Sequence, residues 1–113
     1  MPAGQRRRVK RFKVTFRPLA EKDLIDLYDY IADEAGTRVA GAYIDRIEGA
    51  CLALKTFPLR GTARDNIGPG LRTMAFERRA MIVFRVLKSE VTIVRIFHGG
   101  RDFERILRLS SDA

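Results

Sequence analysis

The most informative stretch is Val91 to Asp102, VTIVRIFHGGRD, where β-branched and aromatic residues run almost unbroken into the chain's single histidine. Side chains alternate across a strand, so Val91, Ile93, Arg95 and Phe97 are expected on one face and Thr92, Val94, Ile96 and His98 on the other. Both faces are largely apolar, which predicts an interior strand covered by helices on one side. Upstream, Leu71–Phe76 and Ala80–Leu87 have the same character, and the short links at 77–79 and 88–90 predict an antiparallel meander. Neither link contains glycine, so the turn types are not legible.

Near the start, Phe12, Val14 and Phe16 alternate with basic residues, the pattern of a half-buried strand that Pro18 terminates. Leu24, Leu27, Tyr28, Ile31 and Ala32 then fall at i, i+3, i+4, i+7 and i+8, predicting a helix over about 19–35. A second stripe of Val39, Tyr43, Ile47, Ala50, Cys51 and Leu54 predicts a helix over about 38–56, with Pro58 closing it. Gly36 and Thr37 between them suit a C-cap followed at once by an N-cap, which forces an antiparallel helical hairpin. Residues 58–70 read as a loop. Phe103, Ile106 and Leu107 behind Asp102 predict a short final helix. The order β-α-α-β-β-β defines an α+β fold: the helical hairpin packs on one face of a mainly antiparallel sheet, and the other face is open and holds Arg95.

Composition narrows the function. With 113 residues, residues 10–113 form one domain, and residues 1–9 are a basic arm. The first 17 residues carry seven basic side chains and no acid, whereas the remaining 96 carry 15 basic and 14 acidic ones. The net charge of +8 therefore belongs mostly to the arm. Cys51 is the only cysteine and sits inside a helical stripe, so it reads as a buried apolar side chain and not as a nucleophile. One histidine and one cysteine give no expectation of a metal site, there is no glycine-rich phosphate loop, and no cofactor is expected. No apolar run has membrane length, so the expected compartment is the cytoplasm.

The candidate chemistry is cationic. Arg72, Arg78, Arg79, Arg85, Arg95 and Arg101 lie on or beside strands, and guanidinium groups on a rigid sheet suit RNA phosphates or an acidic protein surface. The competing expectation is that each is paired within the chain, with an acid such as Asp102 or Glu104. His98 is a candidate proton donor or acceptor near neutral pH, and equally a strand-end residue that orients its neighbours. All three tyrosines, Tyr28, Tyr30 and Tyr43, lie in the helical hairpin, away from the open face.

Several of these segments resemble one known family: Leu19–Leu24, Tyr30–Ala32, Gly68–Arg72, Ile82–Val86 and above all Ile93–Asp102, with its His-Gly-Gly-Arg-Asp ending, are similar to the RelE/ParE superfamily of type II toxins. The ParE, or plasmid-stabilisation, branch is the nearer likeness. Ala80 and Phe84 stand where that superfamily often has tyrosine, and no tyrosine follows residue 43. The resemblance implies a small toxin that forms a hetero-oligomer with a cognate antitoxin. ParE-type members poison DNA gyrase by binding and not by catalysis, which gives Arg72, Arg79, Arg85, Arg95, His98 and Arg101 as the target-binding set. In the alternative, a RelE-like endoribonuclease acting on messenger RNA at the ribosome, Arg72, Arg85, Arg95 and His98 are the catalytic candidates. A non-toxic remnant that still binds an antitoxin is the third reading. Tyr30, projecting off its helix among aspartates, is the candidate antitoxin contact.

Overall fold

A computed structural model describes residues 11–98. The basic arm 1–9, Arg101 and the final helix expected after Asp102 lie outside them. The elements are strand β1 (Lys13–Phe16), helices α1 (Pro18–Ala35) and α2 (Thr37–Leu52) with a 3-10 turn at Ala53–Lys55, then strands β2 (Thr62–Ala63), β3 (Leu71–Phe76), β4 (Ala80–Val86) and β5 (Glu90–His98). The sheet order is β1-β5-β4-β3-β2. The first strand runs parallel to the last, Val14 opposite Val91 and Phe16 opposite Ile93, and every other pairing is antiparallel. The expected α+β architecture is present, with β2 added inside the stretch that composition marks as loop.

The helical hairpin forms as its sequence dictates. Pro18 opens α1 without forfeiting a backbone bond, and Ala20, Leu24, Leu27 and Ile31 make its buried face. Gly36, at φ +95°, is the entire connection: its N–H donates to Ala32 O, and its carbonyl accepts from Ala40 N. Thr37 is therefore the first helical residue and not a side-chain cap. The buried face of α2 is Ala40, Tyr43, Ile47 and Cys51, while Val39 is exposed because the register favours its neighbour. These two faces pack on Ile82, Phe84, Val91, Ile93 and Ile96 to form the main core.

The other side of the sheet is not open. Leu71, Val83, Val94 and Phe97 are buried there in a second apolar cluster, with Ile67 packed against it. Both clusters draw on β5, and within it the strand changes phase. Val83 pairs with Arg95 and Phe84 with Ile93, so Val94 is an extra residue, a β-bulge. Before it Val91 and Ile93 face the helices; after it Ile96 does, and Phe97 faces away. Strict alternation over 91–98 is thereby corrected: Val91 and Ile93 do not share a face with Phe97. The loop before β3 is also ordered by close approach. A side chain at Gly61 would place Cβ 2.1 Å from Thr73 O, and Gly61 has φ +74°. Among the described residues no helix is long and apolar enough to cross a membrane.

Candidate functional site

Arg95 emerges on the far side of the sheet, its guanidinium 4.7 Å from the centre of the Phe97 ring. It does not face solvent unaccompanied. β1 ends at Phe16, leaving the upper edge of β5 uncovered, and the first turns of α1 bring Asp23 onto that edge. Arg95 Nε donates to Asp23 Oδ2 at 2.8 Å, Nη2 donates to Oδ1 at 3.1 Å, and the Ile96 N–H donates to Oδ2 at 2.8 Å. The side chains of Arg95 and Asp23 are only 19% and 12% exposed. This bidentate bond raises the Arg95 pKa above its ordinary value. One carboxylate thus neutralises the guanidinium and caps a strand edge.

The other strand arginines are also engaged. Arg85 Nε donates to Pro69 O at 3.1 Å, and Arg72 Nε donates to Arg60 O at 2.9 Å, tying the 59–70 segment to the sheet. They do not make one patch either. Arg85 and Arg95 occupy the far side, whereas Arg72 shares the phase of Met74 and Phe76 on the helix side. His98 follows Ile96 onto the helix side, where its ring lies 5.1 Å from that of Tyr30. The expectation of an open sheet face is therefore corrected by the apolar cluster that covers it, although Arg85 and Arg95 do share that side; Arg72 and His98 lie on the other, and the three arginines bond to acceptors of their own chain.

What the fold does assemble is a cleft of about 530 Å³ at the C-terminal end of β5. Leu27, Ile31 and Ala35 supply its apolar wall, and Tyr30, Glu34, Arg78, Arg79 and His98 supply its polar groups. The two arginines come from the β3–β4 turn, in which Glu77 and Arg78 have φ of +49° and +58°. Arg79 N donates to Phe76 O at 3.1 Å, the closure of a type I′ turn, made here without the glycine or asparagine that such dihedrals favour. A clamp from α2 holds it: Arg46 Nε and Nη2 donate to the two Glu77 carboxylate oxygens, each at 2.9 Å. That bond holds the Glu77 pKa below its ordinary value and raises that of Arg46. Beneath the clamp the Tyr43 ring contacts Phe76 edge-on, with the Arg46 and Arg79 guanidinium groups at 5.4 and 6.0 Å from its centre. Neither Arg78 nor Arg79 has an ion-pair partner among the described residues. Backbone strain of this kind concentrates where side chains must be aimed at something.

Sequence reasoning placed Arg79, His98 and Tyr30 among the candidates, and the fold brings these three to one cleft. It missed Asp23, Arg46 and Glu77. The charged link Glu77-Arg78-Arg79 between two strands was the available signal for the turn; Asp23 and Arg46 carry no local one. Among the described residues no group of histidine, cysteine, aspartate and glutamate side chains could hold a metal ion.

A helical hairpin on a five-stranded sheet closed by parallel first and last strands is an architecture shared with toxins of toxin–antitoxin systems. The solved chromosomal ParDE system from P. aeruginosa superposes with a TM-score of 0.67 at 27% identity, over 77% of this chain and 95% of that one. The RelBE2 toxin–antitoxin complex from Mycobacterium tuberculosis has the same fold at 21% identity and a TM-score of 0.53, over 83% and 98% of the two chains. Toxin ParE3 of Caulobacter vibrioides is 32% identical over 77 residues, 68% of this chain and 76% of its own length. The family model for the ParE toxin of the type II toxin-antitoxin system parDE matches residues 14–103. The chain belongs to the ParE toxin family.

Proposed function

We propose that this ParE-family toxin acts on DNA gyrase by binding, and that a cognate antitoxin neutralises it by covering the cleft of Tyr30, Arg79 and His98. The observation that carries the choice of binding over catalysis is the division of the nuclease candidates. Cleavage of RNA through its 2′-hydroxyl requires a base, an acid and positive charge converging on one phosphate. Arg72, Arg85 and Arg95 instead bond to Arg60 O, Pro69 O and Asp23, with His98 across the sheet from two of them. Among the described residues, Arg79 and His98, with Arg78 beside them, are the members of the cationic set that line the cleft. Tyr30 is half exposed, and its ring forms one wall of that surface against His98. An antitoxin segment seated on Tyr30 would therefore exclude the target by occupying its contact residues, and the toxin would be inert within the hetero-oligomer.

The experiment has two readouts. Purified toxin is mixed with gyrase and supercoiled plasmid, and covalent gyrase–DNA breaks are counted with and without antitoxin. In parallel, messages from cells expressing the toxin are mapped by primer extension. Breaks that appear with wild type, and are lost with Arg79→Ala plus His98→Ala, support the proposal. Intact DNA together with codon-linked cuts in translated messages overturns it.

A further inference from the structure

At the opposite end of the sheet from the cleft, the chain exposes apolar side chains that its own core does not explain. Phe57 is 63% and Leu59 71% exposed, in the segment that follows the 3-10 turn, and Leu87 is 47% exposed at the end of β4. Phe57 and Leu59 line a groove of about 720 Å³ whose walls also include Phe12 and Val86. Clustered apolar exposure marks a surface meant to be covered, whereas a single exposed leucine marks nothing. The groove is fixed in place: Phe12 N donates to Lys55 O at 2.8 Å, and Arg72 holds the carbonyls of Leu59 and Arg60.

Its rim is predominantly basic. Segments 11–13, 55–60 and 86–90 bring Arg11, Lys13, Lys55, Arg60 and Lys88 to this end, and their one acid, Glu90, accepts from Thr15 Oγ1 at 2.7 Å. A second copy of the chain would set this basic rim against itself. A flat anionic membrane would not fill a concave groove. An acidic segment carrying two or three apolar side chains meets both requirements, since its side chains enter between Phe57 and Leu59 while its carboxylates face Lys55 and Arg60.

We propose that this groove is a second docking site for the antitoxin, occupied by an acidic amphipathic segment of it; this rests on the reading above that the toxin has such a partner. The two sites lie at opposite ends of β5, a nine-residue strand. Eight rises of about 3.3 Å separate them by roughly 26 Å. An antitoxin that holds both is bivalent on a single toxin, and each site raises the effective concentration of the other segment.

The test uses the full-length toxin and the purified protein encoded in the reading frame beside it. Binding is measured by calorimetry for wild type, for Phe57→Ser with Leu59→Ser, and for Lys55→Glu with Arg60→Glu. All four side chains are exposed, and thermal unfolding checks that each variant is folded. Each variant is expected to lose at least about tenfold in affinity. The wild-type affinity should fall with added salt, and that of the charge-reversed variant should fall less. Equal affinities for wild type and both variants overturn the groove assignment and leave the antitoxin reading standing. A wild type that does not bind overturns both. Binding of wild type to vesicles of anionic lipid, lost in both variants while antitoxin affinity is retained, assigns the groove to a membrane and overturns the proposal.

Discussion

Replacing Asp23 by alanine removes one small, largely buried side chain at the strand edge and three hydrogen bonds at once. It leaves a guanidinium, four-fifths shielded from water, without its counter-charge, and the Ile96 N–H at the β5 edge without its acceptor. Breaking a buried pair by deleting one partner costs about 3–5 kcal/mol, and the partial exposure of Arg95 places this case at the lower end, near 3 kcal/mol. For a domain of this size each kcal/mol moves the unfolding midpoint by about 4–8 °C, so Asp23→Ala should unfold at least about 12 °C below wild type. Asp23→Asn keeps one acceptor oxygen, enough for Ile96 N, but loses the charge and one of the two oxygens that Arg95 grips, so its cost should fall between wild type and Asp23→Ala. The decisive measurement is a double-mutant cycle with Arg95→Met, followed by urea unfolding in circular dichroism. With the guanidinium gone, removing Asp23 should cost only its bond to Ile96, about 1 kcal/mol, which leaves a coupling of about 2 kcal/mol. A coupling below about 0.5 kcal/mol would refute the internal pairing of Arg95 and return that arginine to the surface available to a partner.

Cys51 is fully buried and burial pushes its thiol up to about 12, so it should resist Ellman's reagent at neutral pH in the folded protein and react only in denaturant; rapid labelling of native protein would contradict its place in the core. The Tyr43 hydroxyl is buried with no hydrogen-bond partner among the described residues, and that burial raises its pKa, so Tyr43→Phe should be neutral or stabilising by up to about 1 kcal/mol in thermal unfolding. Because Arg46 lowers the folded-state pKa of Glu77, the stability this pair contributes is present above the ordinary glutamate pKa and is lost as pH falls through the folded value. The gap in denaturant midpoint between wild type and Glu77→Gln should accordingly narrow in acid; a constant gap would mean that the clamp does not hold the turn. Gly61→Ala should destabilise by more than the usual glycine-to-alanine change, since its Cβ would meet Thr73 O and its φ is positive; an unchanged unfolding midpoint would place β2 elsewhere.

The parts of the fold legible in sequence are those whose signal is periodic. The stripe from Leu24 to Ile31 and the alternation from Phe12 to Phe16 each express one face buried and one wet, and both elements stand where that pattern puts them. The bulge at Val94 left no mark, because the inserted residue is itself β-branched and apolar and keeps the run unbroken. The type I′ turn was invisible for a related reason: Glu77 and Arg78 carry none of the residue preferences of that turn, and Arg46, thirty-one positions upstream, is what holds it. Arg95 shows the limit most plainly. Its need for a counter-charge was readable from the strand, but the acids named for the arginines, Asp102 and Glu104, lie outside the described residues. The partner is Asp23, brought close because the first strand ends five residues short of the last one's tip.

That pairing of β1 with β5 bears on how the molecule is made. Synthesis delivers the helical hairpin early, yet the strand on which both its buried faces and β1 depend leaves the ribosome after every other element described here. A nascent chain interrupted before Glu90 has nothing to set Val14 and Phe16 against and no edge for Asp23 to cap. Truncation upstream of that point should give chains cleared by proteases, and not a weakened toxin.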